Sequence, residues 1–445
     1  MPDPAPRAPT PSARIRTIAR TPAPPREIDT DIWVVGAGIA GMSAAIEAAR
    51  LGRRVVLIDS APFLGGQSVG AIIATFCGLF SNGTHGYQFT RGIADDILDS
   101  LAAQDRALHY RHGPHTVVVY YDEIALARWF ETSVRALGIV VLLGATLREV
   151  RRAGGRVEAV CCATRYGDIA VRASGFVDAS GDAALTWLAG FACRQPEGAQ
   201  VFGTQMVVVE EINEAAAPTR EALAAAMAEH GEAFGVRRRE GLAFIIPGRG
   251  VAALNVTHTP TPLEPLAASA AALEGREQAD RAVALLRHAF PACFGAARVR
   301  AYGTPGIRQT RWIAARHTLS EAEVIAGTRF DDAIARTAWP IELHDHASGH
   351  RWHLFDRDHV HYVPLRSMIP AGADNLIAAG RCIDADLAAL SSVRVMGPCI
   401  AMGAAAAHAL DLAGPGGLDR IDLAALHGRV RDNVDGQHWR WQQQD

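Results

Sequence analysis

The chain has 445 residues, 49% hydrophobic and 20% charged, with a formal net charge of -3, which allows a large core and more than one domain but no broad basic face for a nucleic-acid partner. Its seven cysteines, odd in number and scattered, form no disulfide framework and point to a reducing compartment, the cytoplasm by default. No stretch offers the roughly 18 uncharged apolar residues of a bilayer span, so no membrane span is expected.

In chain order, residues 1–29 read as a disordered tail: the first 26 hold eight prolines, five arginines and one acid, Asp3. They lack the apolar core of a secretory signal, and the prolines defeat the amphipathic helix of a transit peptide. "DIWVV" then reads as a buried strand, Gly36 to Gly41 as a turn, Ile39 to Leu51 as a helix stopped at Gly52, and "RVVLID" as the next strand. A second strand group runs from Gly138 to Asp182, with turn glycines at Gly154, Gly155 and Gly167. From about Phe191 to His350 strands such as "TQMVVVEEI" and "LAFIIPG" mix with Ala-rich helices. Beyond it "NLIAAG" reads as a strand and "PCIAMGAAAAHALDLAG" as a helix of small residues. No internal repeat is visible. The expected architecture is α/β: a Rossmann-like dinucleotide domain from residues 30–190 and 351–445, with an inserted mixed α+β substrate domain over 191–350.

Strand, three spaced glycines, helix, strand and terminal acid form the βαβ pattern that holds a dinucleotide. Gly36 permits the tight turn, Gly38 lets the backbone approach a pyrophosphate, and Gly41 lets helix pack on strand. Ile39 and Ala40 open the helix, whose free amides and partial positive charge suit phosphates. Asp59, 18 residues after Gly41 and followed by Ser60, can accept bonds from the adenosine ribose and would repel a 2′-phosphate, which disfavours NADP. The alternative is a glycine-rich turn in an ordinary α/β core. FAD and NAD are separated by other segments, because a flavin is longer and needs support from distant parts of the chain. Candidates are "FLGGQSVG" (Phe63 to Gly70), "VDASGD" (Val177 to Asp182) and "NLIAAGRC" (Asn375 to Cys382), followed by a helix starting near Pro398. Proline suits a first helical position, and that N-terminus can stabilise negative charge on a reduced flavin. The alternative is a purely structural helix.

The set "GAGIAG", "GGQSVG", "GRVEAV…FVDASGD", "GIRQTRW", "YVPLRSMIP", "NLIAAGRC" and "SVRVMGPCIAMG" resembles the FAD-dependent oxidoreductases of the glutathione-reductase-like superfamily, in a family distantly related to the fumarate reductase flavoproteins. The resemblance runs from about Thr30 to Leu412 and implies FAD as cofactor. It implies that Gly36, Gly38, Gly41 and Asp59 hold the ADP half, that Gly65, Gly66 and Gln67 sit near the pyrophosphate, and that Leu147 contacts adenine through its backbone. Ala179, Gly181, Asp182, Gly380, Arg381, Met396, Gly397 and Pro398 would line the rest. The chain departs from the family after the "AGR" turn. Asp384, Asp386 and Leu387 stand where Ser, Thr and His-Glu are frequent, and Ala404 replaces a polar residue.

For the chemistry, hydride transfer belongs to the flavin, so the protein supplies a base and orienting groups. "IELHDHASGHRWHLFDRDHVHY" offers six histidines, of which His344 and His346 match a His-Asp segment of the similar family and are the leading base candidates. A solvated loop is the alternative, and a metal site on alternating histidines is the minor one; no metal is expected. Arg308 and Arg311, three apart, would share a helix face and clamp a carboxylate or an anionic flavin, or else be surface charges. Arg366 and Tyr362 are weaker versions of the same idea. Cys77 is a candidate to face the flavin, with an inert buried thiol as the alternative, and no CxxC redox pair is present. The expected activity is oxidation of a small-molecule substrate by hydride transfer to flavin N5, as a dehydrogenase or oxidase, with oxygen, a quinone or a partner protein as electron acceptor. Rivals are a flavin monooxygenase, although no second GxGxxG exists for a stable NADPH site, and a non-catalytic FAD-binding sensor. The oligomeric state is left open, a homo-oligomer included.

Overall fold

The first strand is longer than its apolar core suggests, because its amphipathic beginning finds a partner. In the computed structural model, which describes residues 16–17, 23–83, 86–104, 107–113, 115–197 and 201–437, it spans Arg26–Val35. Arg26 already pairs with Ile169, so the expected tail gives way to structure at Arg26; most of that tail lies outside the described residues. A parallel core places strand Val55–Asp59 on one side of the first strand and Gly167–Asp178 on the other, with Val140–Leu143 beyond Val55–Asp59. The long strand Gly167–Asp178 has two neighbours on its far edge. Its first half pairs antiparallel with Arg156–Thr164, which pairs in turn with Thr146–Ala153, and its last residues pair parallel with Leu376–Ala378. Strand pairing thus brings residue 376 beside residue 176, and both strands end at the same edge of the sheet as Val35.

Between residues 71 and 136 lies an element group absent from the sequence expectations. A small antiparallel sheet of Thr75–Phe76, Val117–Tyr121 and Leu108–His112 packs with helices Ile93–Ala102 and Glu123–Ala136, the second capped by the Asp122 carboxylate accepting from Ile124 and Ala125 amides.

The inserted unit is a four-stranded antiparallel sheet in the order Leu242–Ile246, Val251–Asn255, Val207–Glu210, Arg298–Tyr302. Alternation along Val207–Glu210 sorts its two faces. Val207 and Val209 meet helices Arg220–His230 and Pro265–Ala289 through Leu223, Met227 and Leu286. Met206 and Val208 pack instead on Ala74, with Ile72 beside them. Ile72 and Ala74 have φ of 52° and 58°, a left-handed conformation that costs about 1–3 kcal/mol each, so the strain sits where the insert meets the dinucleotide unit. The return to that unit comes before the expected boundary at His350. Trp312–Ile313 pairs with Cys193–Arg194, and Ala333, Ile334, Ile341 and Leu343 belong to the main core.

The two ends of the chain meet through two helices. Ile39–Arg50 lies against Met396–Ala413, where the Ser43 hydroxyl donates to the Ile400 carbonyl at 2.7 Å and Glu47 meets His408 at 3.1 Å. At Gly403 a Cβ would stand 2.1 Å from the Ala40 carbonyl oxygen. The second helix begins two residues before Pro398, which therefore occupies the first turn but not the first position. Its missing amide still costs nothing, since first-turn amides have no intrahelical partner. By length and composition Met396–Gly416, which includes Asp411, could cross a membrane, and 83% of its most apolar 18-residue window is buried inside the protein; an all-round apolar helix is also what a core requires.

Gly403→Val should lower stability by about 2–3 kcal/mol or more, as overpacking does. Gly428→Ala, in helix Leu423–Val434 where a Cβ meets nothing within 4 Å, should raise it by up to about 1 kcal/mol. Denaturant midpoints of the two variants against wild type check the pair.

Candidate functional site

The glycines of the first turn divide by what surrounds them. A Cβ at Gly36, whose φ is +96°, would lie 2.3 Å from the Ala179 carbonyl oxygen, and one at Gly41 would lie 1.8 Å from the Gly36 carbonyl oxygen. At Gly38 a Cβ would meet nothing within 4 Å. Gly38 is also the N-cap of helix Ile39–Arg50 and no side chain caps it, so its amides are available to an anion. Gly65 bridges to Gly38 and donates its amide to the Ala37 carbonyl at 2.8 Å. Gly66 approaches so closely that a Cβ there would come 2.8 Å from the Gly38 Cα. Gln67 reaches on to the Ile307 carbonyl at 3.0 Å. Open space over an uncapped helix end, walled by a second glycine pair, fits a pyrophosphate.

Asp59 ends its strand with the carboxylate fixed: Oδ2 accepts from the Ala37 amide at 2.6 Å and Oδ1 from the Ala61 amide at 2.8 Å. The remaining lone pairs suit ribose hydroxyls. Ser60 beside it is exposed. Leu147 pairs with Cys162 one strand further on, and the Ala145 amide ties this edge to the Asp59 carbonyl at 3.0 Å, so Leu147 flanks the end where Asp59 stands.

The other segments converge from residues 178–182 and 380–398. Ala179 continues the sheet by donating to the Val35 carbonyl at 2.8 Å. Buried Asp178 pins the following turn, accepting from the Ser180 hydroxyl at 2.6 Å and from the Thr186 amide and hydroxyl at 2.8 Å each. Arg381 packs over Gly181 and pairs with Asp182 at 3.1 Å, while Thr310 donates to the same carboxylate. Asp182 is thus committed to Arg381. Gly380 lies over Ala40, Gly397 donates its amide to the Cys77 carbonyl at 2.9 Å, and Cys399 closes back on Val395. Pro398 has no amide, which leaves that of Met396 at the helix tip; Met396 lies against the Tyr121 hydroxyl. These residues fit an elongated cofactor running from Asp59 past Gly38 to Met396, as the FAD expectation requires.

Above that tip is a polar cluster that corrects most of the catalytic expectations. Arg308 and Arg311 share no helix face, because 303–311 is irregular. Arg308 turns inward, donating to the Phe202 carbonyl at 2.7 Å, whereas Arg311 stacks 4.1 Å over the half-exposed Trp187 ring. His346 has 64% of its side chain exposed and, among the described residues, its ring pairs with the adjacent Asp345, which argues against it as a shielded base. His344 is buried, with Nδ1 3.0 Å from His258 Nε2 and Nε2 3.1 Å from Glu342 Oε1. Both of its nitrogens are engaged, so it has none left for a substrate. Burial pushes His344 well below the ordinary histidine range, aided by Arg308, Arg238 and Arg394; it pushes His258 down to about 2, aided by Arg238 and Arg308, and His350 to about 4. Arg394 is likewise held low by burial, with Glu342 opposing. The Cys77 thiol is pushed up by burial and then by Glu342, which makes it a neutral wall group rather than a nucleophile.

Glu342, Arg394, His258 and Arg238 were absent from the sequence candidates. Glu342 was within reach, because strand alternation puts it on the face of His344. Arg394 stood two residues before Met396. His258 follows a strand in a bare "NVTHTP", and Arg238 hides in "RRRE", so neither carries a signal. The family departures have structural reasons: Asp384 accepts from the Ala315 amide at 2.8 Å and pairs with Arg194, and Asp386 caps Leu387–Val393. Arg366 lies near Asp332 and Phe330, and Tyr362 near Arg329. Among the described residues no group of three or more His, Cys, Asp or Glu could hold a metal. A cavity of about 430 Å³ lined by Arg329, Asp331, His427 and Arg431 shares no residue with this site.

A family model described as FAD dependent oxidoreductase matches residues 31–430. A probable fumarate reductase, Ifc3, of Shewanella frigidimarina (strain NCIMB 400) is 29% identical over 127 residues, 28% of this chain and 19% of its own length; the chain thus matches about a fifth of that relative. Among solved structures, a geranylgeranyl bacteriochlorophyll reductase-like protein of Thermoplasma acidophilum has a TM-score of 0.46 at 13% identity, covering 92% of this chain and 85% of that one. The p-nitrophenol 4-monooxygenase PnpA of Pseudomonas putida DLL-E4 has 0.45 at 11%, covering 92% and 82%.

Two measurements test this geometry. Gly38→Ala should fold with near wild-type stability yet lose bound cofactor, while Gly36→Ala should fail to fold stably; melting curves and cofactor content after gel filtration separate them. The depressed histidines bind protons in the unfolded chain first, so their contribution to stability is complete above about pH 6.5 and is lost as the pH falls toward 4. For His258 and His350 the slope is about 1.4 kcal/mol per pH unit each. Denaturation at pH 7.5 and 5 should show the loss, and His258→Gln should make it shallower.

Proposed function

The chain belongs to the FAD dependent oxidoreductase family and is an enzyme with FAD as its cofactor, and from that premise we propose that it oxidises a small anionic molecule by hydride transfer to flavin N5. When bound, FAD supplies the hydride acceptor. Gly38 and the amides after it would hold the pyrophosphate, Asp59 the ribose, and Met396 with Arg381 the flavin end.

The observation that carries the reading is the pair of inward-turned arginines. Arg308 and Arg394 are partly buried side chains close enough for Arg394 to oppose the charge on Arg308, and desolvation holds both below their ordinary values. Among the described residues neither forms an ion pair with a carboxylate. A guanidinium stays protonated in a protein, so two neighbouring, partly buried cations without a carboxylate partner favour an anion between them, held by charge-assisted bonds. Cys77, Gly397 and Met396 at the helix tip bound the same space. The arginines orient the substrate, the insert's sheet, packed on Ile72 and Ala74, shields it from water, and Glu342 is placed to take its proton.

Purified protein should be yellow, and an anionic substrate alone should bleach it without oxygen; bleaching only with NAD(P)H present identifies a monooxygenase and overturns the reading. Arg394→Met should raise KM about 10- to 10²-fold, whereas His346→Ala should leave the bleaching rate unchanged. Stopped-flow absorbance at matched flavin content measures both.

A further inference from the structure

The cavity of about 430 Å³ beside the helix Leu423–Val434 shares no residue with the cofactor cradle or the cleft, and its volume is within the range of sites for small organic molecules. One wall is the helix face that carries His427, Arg431 and Val434, which follow one another at i, i+4 and i+7 and therefore point the same way. The facing wall is the stretch from Arg329 to Ala333, where the strand Ala333–Thr337 begins. Phe330 and Val434, both buried, give the space an apolar floor. Its rim is fixed. Arg336, itself buried, donates to the Asp435 carbonyl at 2.9 Å and to the Gly436 carbonyl at 2.6 Å, and Arg329 pairs with the Asp435 carboxylate.

That ion pair answers two of the four charges around the cavity and leaves the other two. Among the described residues the Arg431 guanidinium has no acid partner and the Asp331 carboxylate has no donor. His427 Nε2 is buried and likewise lacks a hydrogen-bond partner. A simple anion drawn to Arg431 would meet Asp331, and a simple cation drawn to Asp331 would meet Arg431. A molecule with one charge of each sign on neighbouring atoms answers both, and an apolar group attached to it covers the floor.

We propose that this cavity binds a free α-amino acid with an apolar side chain. Arg431 and His427 Nε2, one turn apart on the helix, donate to its carboxylate, Asp331 accepts from its ammonium, and the side chain lies on Phe330 and Val434. The occupant is a second molecule, separate from the substrate of the cleft, so the proposal stands apart from the hydride-transfer reading. Arg431 and Asp331 are exposed, so water weakens each contact. Affinity is modest and needs both charges together with the floor. Occupancy ties helix Leu423–Val434 to the segment opposite and stabilises the folded chain by mass action.

The test is isothermal titration of the full-length, FAD-loaded protein with L-leucine and L-phenylalanine, with 4-methylpentanoate, which is leucine without its ammonium, and with 3-methylbutylamine, which is leucine without its carboxylate. L-leucine should bind with a Kd of about 0.1–1 mM, and each truncated probe about 10-fold more weakly or worse. Arg431→Met and Asp331→Asn should melt like wild type without ligand, bind leucine about 10-fold more weakly, and lose the rise in Tm that saturating leucine gives the wild type. Arg394→Met should leave leucine binding unchanged. No binding of either amino acid, equal binding of a truncated probe, or leucine binding that survives both substitutions overturns the proposal. Loss of leucine binding in Arg394→Met places the amino acid in the cleft instead and overturns it as well.

Discussion

The cofactor cradle depends on one close approach: helix Ile39–Arg50 lies against helix Met396–Ala413 with nothing but hydrogen at Gly403 between it and the Ala40 carbonyl. Residues some 357 positions apart share a hydrogen bond there, from Ser43 to Ile400. Because the helices run at contact distance, their N-terminal ends sit side by side at the same edge of the sheet. On the proposed reading, one end would hold the phosphates and the other the redox-active ring. The strand Gly167–Asp178 sets the same geometry from beneath, pairing with the first strand on one side and with Leu376–Ala378 on the other. A bulkier residue at the crossing would separate both ends at once.

Over this frame the insert imposes an electrostatic problem and a solution. Burying Arg238 and gathering the partly buried Arg308 and Arg394 beside it is unfavourable unless their charge is answered. Arg238 is answered by the Asn255 side chain and carbonyl. The other two are left turned to the cleft, with Glu342 as the nearest acid. The same enclosure keeps the neighbouring histidines neutral, which lets them serve as directed donors and acceptors rather than as charges. Strain at Ile72 and Ala74 is localised at the seam between insert and frame, where the wall of the cleft is shaped.

The dinucleotide half was legible in the sequence because its constraints are local. A turn that admits only hydrogen at Gly36, a helix that must touch it at Gly41 and an acid at the strand end are all written within about thirty residues. The strand ends at Ala179 and Gly380 were legible through their glycines and apolar runs. The catalytic part was not, because it is assembled by long-range packing. His258, Arg308, Glu342 and Arg394 come from four separate segments, and nothing in "NVTHTP" announces that its histidine stacks on Phe202. The pairing of Arg308 with Arg311 on one helix face failed for a related reason: spacing in an irregular segment says nothing about direction. The group between residues 71 and 136 went unread because its strands are short and owe their place to contacts with the core.

The crossing of the first and last core helices also has a consequence for biogenesis. During synthesis the turn at Gly36 to Gly41, the proposed phosphate site, emerges more than 300 residues before the surface from Gly380 to Gly403 that completes it. The nascent N-terminal half therefore exposes apolar strand edges with no ligand able to hold them together. Flavin capture is a late event, and a supply of free FAD favours the mature enzyme by trapping the closed chain rather than by guiding its early folding.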